Sequence, residues 1–90
     1  MSDDRPQRIH DRLNVIFRPQ ALDVGDDSAL HAGHEGARSG GGHYSVTIIS
    51  PVFAGLSMIE RHRMVYDALA DMMQKEIHAL SIHAHAPDEL

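Results

Sequence analysis

The chain has 90 residues and a mass of 10.0 kDa, which suits one small domain over residues 1–90 and excludes a two-lobed catalytic architecture. Thirteen acidic against eight basic residues give a formal net charge of −5, so bulk charge does not favour nucleic-acid binding. With no cysteine, the chain offers neither a disulfide nor a thiolate ligand of its own. Because no apolar run approaches about 20 residues and no apolar leader is present, we expect a cytoplasmic protein without a membrane segment.

The first predicted element is a helix from Ser2 or Asp3 to Phe17. Apolar residues recur on one face at helical spacing, and a basic stripe runs beside them. The apolar positions are Ile9, Leu13, Ile16 and Phe17, and the basic positions are Arg5, Arg8 and Arg12. The helix is expected to end at Arg18, because the proline that follows disfavours helical geometry in the residue before it.

Two strands are predicted next, on either side of a long glycine-rich segment. The first runs from Gln20 to Asp23 or Val24 and the second from His43 to Ser50, both with apolar residues at alternate positions. Residues 25–42 contain six of the seven glycines together with His31 and His34, so we expect an exposed loop here. Loops of this length in compact domains are often functional.

A second helix is expected from the N-cap Ser57 to about Met73, because residues 57–60 have the Ser-x-x-Glu form of a capping box. Its apolar stripe consists of Met58, Val65, Leu69, Met72 and Met73. The last predicted strand runs from Ile77 to about Ala84, with His78, Leu80 and Ile82 on one face. The predicted order is therefore helix, strand, strand, helix, strand.

Histidine is the unusual feature of the composition, with eight residues in 90. His31 and His34 have the spacing of a ligand pair, but structural zinc takes four ligands and favours thiolates, so this pair alone is a weak zinc motif. His62 lies on the apolar stripe of the second helix, where packing is a commoner role than metal binding. Its neighbours Arg61 and Arg63 point elsewhere on the helix, where they could face a partner.

No nucleophile motif, phosphate-binding loop or zinc-protease motif occurs in the chain, which favours a binding protein over an enzyme. Neither His10 nor His43 stands in a pattern that indicates a ligand. The sequence by itself thus points to an interaction or metal-binding module.

Several segments resemble the BolA family. The most specific are residues 53–66, with Phe-Ala-Gly-Leu-Ser followed by Glu-Arg-His-Arg-Met-Val-Tyr, and residues 77–82, with Ile-His-Ala-Leu-Ser-Ile. Residues 26–34 and the ending at 86–89 complete a match that covers nearly the whole chain in the family's order. The resemblance implies an α+β fold similar to a class II KH domain. In that α-β-β-α-β fold, helices pack on one face of a three-stranded mixed sheet.

For function, the resemblance implies an adaptor that partners a monothiol glutaredoxin. Such an adaptor coordinates or receives a bridging 2Fe–2S cluster in iron–sulfur trafficking and iron regulation. The family's C-terminal histidine falls on His78, and its variable second ligand falls on His31, with His34 as the alternative. Two imidazoles can replace two thiolates on one iron, so glutaredoxin and glutathione would supply the thiolates that this chain lacks. Because imidazole binds metal in its neutral form, the site should weaken below about pH 6.

The resemblance also implies an alternative function, that of a DNA-binding transcriptional regulator of morphology and stress genes. KH-like folds grip nucleic acid with a GXXG loop, whereas residues 53–56 supply a single glycine. Arg61 and Arg63, with the arginines of the first helix, are the candidate contacts for DNA or a protein partner. Cluster sharing through His78 and His31 is the function that we favour from the sequence.

Overall fold

The computed structural model describes residues 4–27 and 42–90, so His31 and His34 lie outside the described residues. The helices are α1 (Arg5–Phe17), α2 (Met58–Ala68) and the short α3 (Ala70–Met73), and the strands are β1 (Ala21–Asp26), β2 (Gly42–Ile49) and β3 (Ile77–His85). Single 3-10 turns occupy Pro51–Phe53 and Pro87–Glu89. The predicted order is confirmed, but the second predicted helix is interrupted at Leu69, whose φ of −110° and ψ of 15° are not helical.

The three strands form one mixed sheet in the order β1-β2-β3. Strand β2 is antiparallel to β1 and parallel to β3. A parallel pair needs a long crossover connection, which α2 and α3 provide. Alternate residues of β2 are buried beneath the helices, namely Tyr44, Val46 and Ile48. The predicted three-stranded mixed sheet with helices on one face is therefore confirmed.

Helix α1 covers this sheet with Ile9, Leu13 and Phe17, all of them buried. Ile16 was predicted to share that face but is 52% exposed, because it lies at the margin of a stripe centred on Leu13. The Phe17 ring packs on the Phe53 ring at a centroid distance of 5.4 Å. This contact joins the end of α1 to the turn that follows β2.

Two serines fix the chain around that turn. The fully buried Ser50 donates its hydroxyl to the carbonyl oxygen of Phe17 at 2.8 Å and so satisfies a group at the end of α1. Ser57 accepts the N–H of Glu60 at 3.1 Å, which confirms it as the N-cap of α2. Met58, predicted for the apolar stripe of that helix, is instead 49% exposed in its first turn. No helix within the described ranges is long and apolar enough to cross a membrane.

Candidate metal and partner site

His78 lies at an irregularity in the parallel pairing of β2 with β3. Gly42 pairs with Ile77, and the next residue of β2, His43, pairs with Ala79. His78 is thus the extra residue of a β-bulge, the kind of feature that re-aims a side chain at the end of a sheet. The predicted face containing His78, Leu80 and Ile82 is wrong for His78, which is exposed while Ile82 is buried. The inserted residue breaks the period of two on which that prediction depended.

The bulge brings two imidazoles together. The ring centroids of His43 and His78 are 5.1 Å apart, with an angle of 47° between the ring planes. His78 is exposed and His43 is half-buried. Sequence reasoning missed His43, because its place beside His78 depends on the register between β2 and β3. Each histidine is the second residue of its strand, and parallel neighbours begin at the same end of a sheet.

The start of β2 is held by backbone hydrogen bonds on both sides. The carbonyl oxygen of His43 accepts the N–H of Asp27 at 2.7 Å, and the N–H of Gly42 donates to the carbonyl of Glu76 at 3.1 Å. A Cβ at Gly42 would lie 2.6 Å from carbons of the Tyr44 ring, so any other residue here would displace that ring or the strand.

Arg61 was predicted to face a partner together with Arg63, and the structure corrects this. Arg61 is only 5% exposed, and its guanidinium donates to the carbonyl oxygens of Leu56 at 3.0 Å and Ala84 at 3.1 Å. It also binds both carboxylate oxygens of Glu89, at 2.7 and 2.5 Å. Side-chain hydrogen bonding to Arg61, followed by the N–H of Ala86, lowers the pKa of Glu89 to about 2. Arg61 therefore ties α2 to β3 and to the turn after it.

Arg63 remains as the exposed arginine of α2. It forms no ion pair with any residue in the described parts of the chain. It borders a shallow cavity together with Ile59, His62 and Tyr66, and Ile59 is 70% exposed. Arg63 therefore lies on a surface that carries both basic and apolar side chains.

The basic stripe of α1 is occupied within the molecule. Arg8 pairs with Glu76, and Arg12 pairs with Asp71. Arg5 lies 3.5 Å from the carbonyl oxygen of Glu76. These contacts fasten α1 to the end of the β2–β3 crossover. The contribution of this stripe to a DNA-binding patch stays a prediction, because the side chains of Arg8 and Arg12 are still 45% and 37% exposed.

The pair of His43 and His78 is a two-ligand set. Across residues 4–27 and 42–90, no group of three or more histidine, aspartate or glutamate side chains is placed to hold a metal ion. Two neutral imidazoles suit zinc, copper, nickel and iron. A four-coordinate metal at this pair would take its other ligands from outside the described residues.

Comparison with known proteins places these features in a family context. Residues 13–89 match the family model described as BolA-like protein. The DNA-binding transcriptional regulator BolA of Vibrio cholerae is 40% identical over 81 residues, which cover 90% of this chain and 74% of that protein. The chloroplastic/mitochondrial SufE-like protein 1 of Arabidopsis thaliana is 40% identical over 91 residues. That match covers 96% of this chain but 24% of the relative, so the chain spans about a quarter of its length.

Solved structures agree with this similarity. The BolA domain of SufE1 from Arabidopsis thaliana superposes with a TM-score of 0.87 and 38% identity, covering 100% of both chains. BolA1 from the same plant gives a TM-score of 0.84 and 33% identity, covering 100% of this chain and 99% of that one. The similarity therefore includes the arrangement of the helices and strands in residues 4–27 and 42–90.

Proposed function

The chain belongs to the BolA-like protein family, and we propose that it is an adaptor which shares a bridging 2Fe–2S cluster with a monothiol glutaredoxin. The observation that carries the proposal is the exposed His78, which a β-bulge sets beside a second imidazole at the end of the sheet. An exposed imidazole on a fixed strand can bind iron while a partner occupies the other coordination positions. The adaptor thus needs no catalytic group of its own.

The cluster is cargo, held between two proteins. His78 provides one ligand, and the family resemblance implies His31 as the second, with His34 as the alternative. Glutaredoxin and glutathione provide thiolates to the other iron. Two imidazoles on one iron raise the reduction potential of a 2Fe–2S centre relative to four thiolates.

Visible circular dichroism tests this proposal. The purified chain is mixed with a monothiol glutaredoxin, glutathione, ferrous iron and sulfide, and the spectrum is compared with that of the glutaredoxin homodimer. We expect a distinct spectrum that His78→Ala abolishes. The matched control is His83→Ala, which removes another exposed histidine from the same strand and should leave the new spectrum intact. An unchanged homodimer spectrum with the wild-type chain, or full retention in His78→Ala, would overturn the proposal.

Regulation of transcription through DNA is the second candidate function, because relatives from Vibrio cholerae and Escherichia coli are named DNA-binding transcriptional regulator BolA. In this chain Arg63 is the arginine of α2 that remains for such a contact. The dissociation constant for a specific DNA site should be sub-micromolar. The logarithm of the affinity should fall as the logarithm of the salt concentration rises, with a slope that steepens by about 0.9 for each phosphate contact. Arg63→Ala should reduce that slope, whereas Lys75→Ala on the crossover serves as the control. Unchanged binding by Arg63→Ala would exclude this surface.

A further inference from the structure

We infer that His43 is the second imidazole of this site, so that His43 and His78 bind one transition-metal ion from the sheet itself. The inference deepens the proposed function and rests on it for the identity of the metal. In the complex the metal is an iron of the shared cluster, and in the isolated chain a divalent cation such as zinc takes the same position. The common chemistry is a metal ion that accepts two neutral imidazoles.

The spacing of the two rings matches that of two imidazoles on one metal ion. With a metal–nitrogen distance of about 2.0 Å and a tetrahedral angle between the bonds, the centroids of two ligating imidazoles lie about 5 Å apart. The observed separation is 5.1 Å. The ring planes are inclined at 47°, so the pair is not a parallel stack.

Both histidines stand on backbone that is already fixed. The carbonyl of His43 accepts the N–H of Asp27, and His43 pairs with Ala79 across the sheet. The bulge frees His78 from the alternation that would place it on the face of Ile82. Ligands on rigid strands lose little conformational freedom on binding, which favours metal binding by a preformed pair.

The two-ligand set also suits a bridging role. The described residues offer no third ligand near the pair, so the remaining positions are open to groups from a partner. A metal ion bound only through His43 and His78 can be handed over by exchange of two bonds. A contact between two imidazoles without metal binding is the competing explanation, and it predicts no response to zinc.

Zinc titration of the isolated full chain distinguishes these explanations. Histidine ring signals are followed by NMR at about pH 7.5, where imidazole is neutral. We expect the ring signals of His43 and His78 to shift together and to saturate at one equivalent of Zn²⁺. His43→Ala and His78→Ala should each weaken binding by about tenfold or more, whereas the double variant His31→Ala/His34→Ala and the control His83→Ala should bind as the wild type does. Backbone amide spectra verify that each variant is folded.

Three results would overturn the inference: zinc affinity unchanged in His43→Ala, zinc shifts confined to His31 and His34, or loss of binding in the His31/His34 double variant. The glutaredoxin mixture separates this failure from that of the proposed function. A cluster spectrum lost in His78→Ala but retained in His43→Ala supports the proposed function and refutes the role of His43. A wild-type mixture that forms no cluster complex refutes the proposed function, and the zinc titration still decides whether His43 and His78 form a metal site.

Discussion

At the scale of single residues, Arg61 and Arg63 show how two like side chains on one helix acquire different roles. Arg61 is four residues before Val65 and eight before Leu69, so it shares their buried stripe. Its fork-shaped guanidinium satisfies two carbonyls and a carboxylate there. Arg63 lies off that stripe and is exposed.

We expect Arg61→Lys to lower the melting temperature by about 5 °C or more, because a single ammonium cannot replace a guanidinium that contacts two carbonyls and both oxygens of Glu89. The matched control is Arg63→Lys. Because Arg63 is exposed, its replacement should change the free energy of unfolding by no more than about 0.5 kcal/mol. Thermal unfolding followed by circular dichroism measures both variants. Equal melting temperatures for the two variants would contradict the internal role of Arg61.

Glu89 makes the same ion pair responsive to acid. Its folded-state pKa is about 2, below the ordinary 4.5, so the folded form favours the carboxylate. The resulting stabilisation is complete above about pH 4.5 and is lost as the pH falls through 2. Glu89→Gln should therefore destabilise the protein near neutral pH. Between pH 4.5 and pH 2, the free energy of unfolding should fall less steeply in this variant than in the wild type. Urea unfolding at pH values from 6 to 2 tests this, with Glu60→Gln on the surface of α2 as the control. The prediction is refuted if the free energy of unfolding of Glu89→Gln depends on pH as steeply as that of the wild type.

At the scale of elements, sequence periodicity predicted every strand but not the bulge. The predicted second and third strands lie within about one residue of the observed bounds, because apolar alternation follows burial directly. The bulge at His78 has no signature in the local sequence, because it arises from the register between β2 and β3. The pairing of His43 with His78 therefore required the tertiary structure. His31 and His34 remain predictions from the family resemblance.

Gly42 is the residue on which the local form of this end of the sheet depends. Gly42→Ala places a Cβ 2.6 Å from ring carbons of the buried Tyr44, so that ring or the strand must move. We expect a loss of about 1–3 kcal/mol in the free energy of unfolding, together with weaker zinc binding at His43 and His78. Gly55→Ala is the comparison, because Gly55 has a φ of 78° but no atom within 4 Å of a new Cβ. Gly55→Ala should lose stability without losing zinc affinity.

At the scale of the whole molecule, the net charge of the chain and its change with pH distinguish the two candidate functions. Arg61 is buried in contacts within the chain, and Arg8 and Arg12 each pair with a carboxylate, so these arginines do little to offset the formal charge of −5. The eight histidines are a reserve of positive charge, because each imidazole gains one charge when it is protonated. Full protonation of the eight would turn a net charge of −5 into +3.

The two functions should therefore respond to acid in opposite directions. Cluster binding through neutral imidazoles weakens as they are protonated, because a protonated nitrogen cannot bind iron. Electrostatic binding to DNA strengthens over the same range, because added positive charge releases more counterions. We expect the visible dichroism of the glutaredoxin complex to decline from pH 8 to about 5.5 and to recover on return to pH 8. Any DNA affinity should rise over those steps, and a glutaredoxin–chain complex whose cluster signal is constant down to about pH 5.5 would show that its iron ligands are not these histidines.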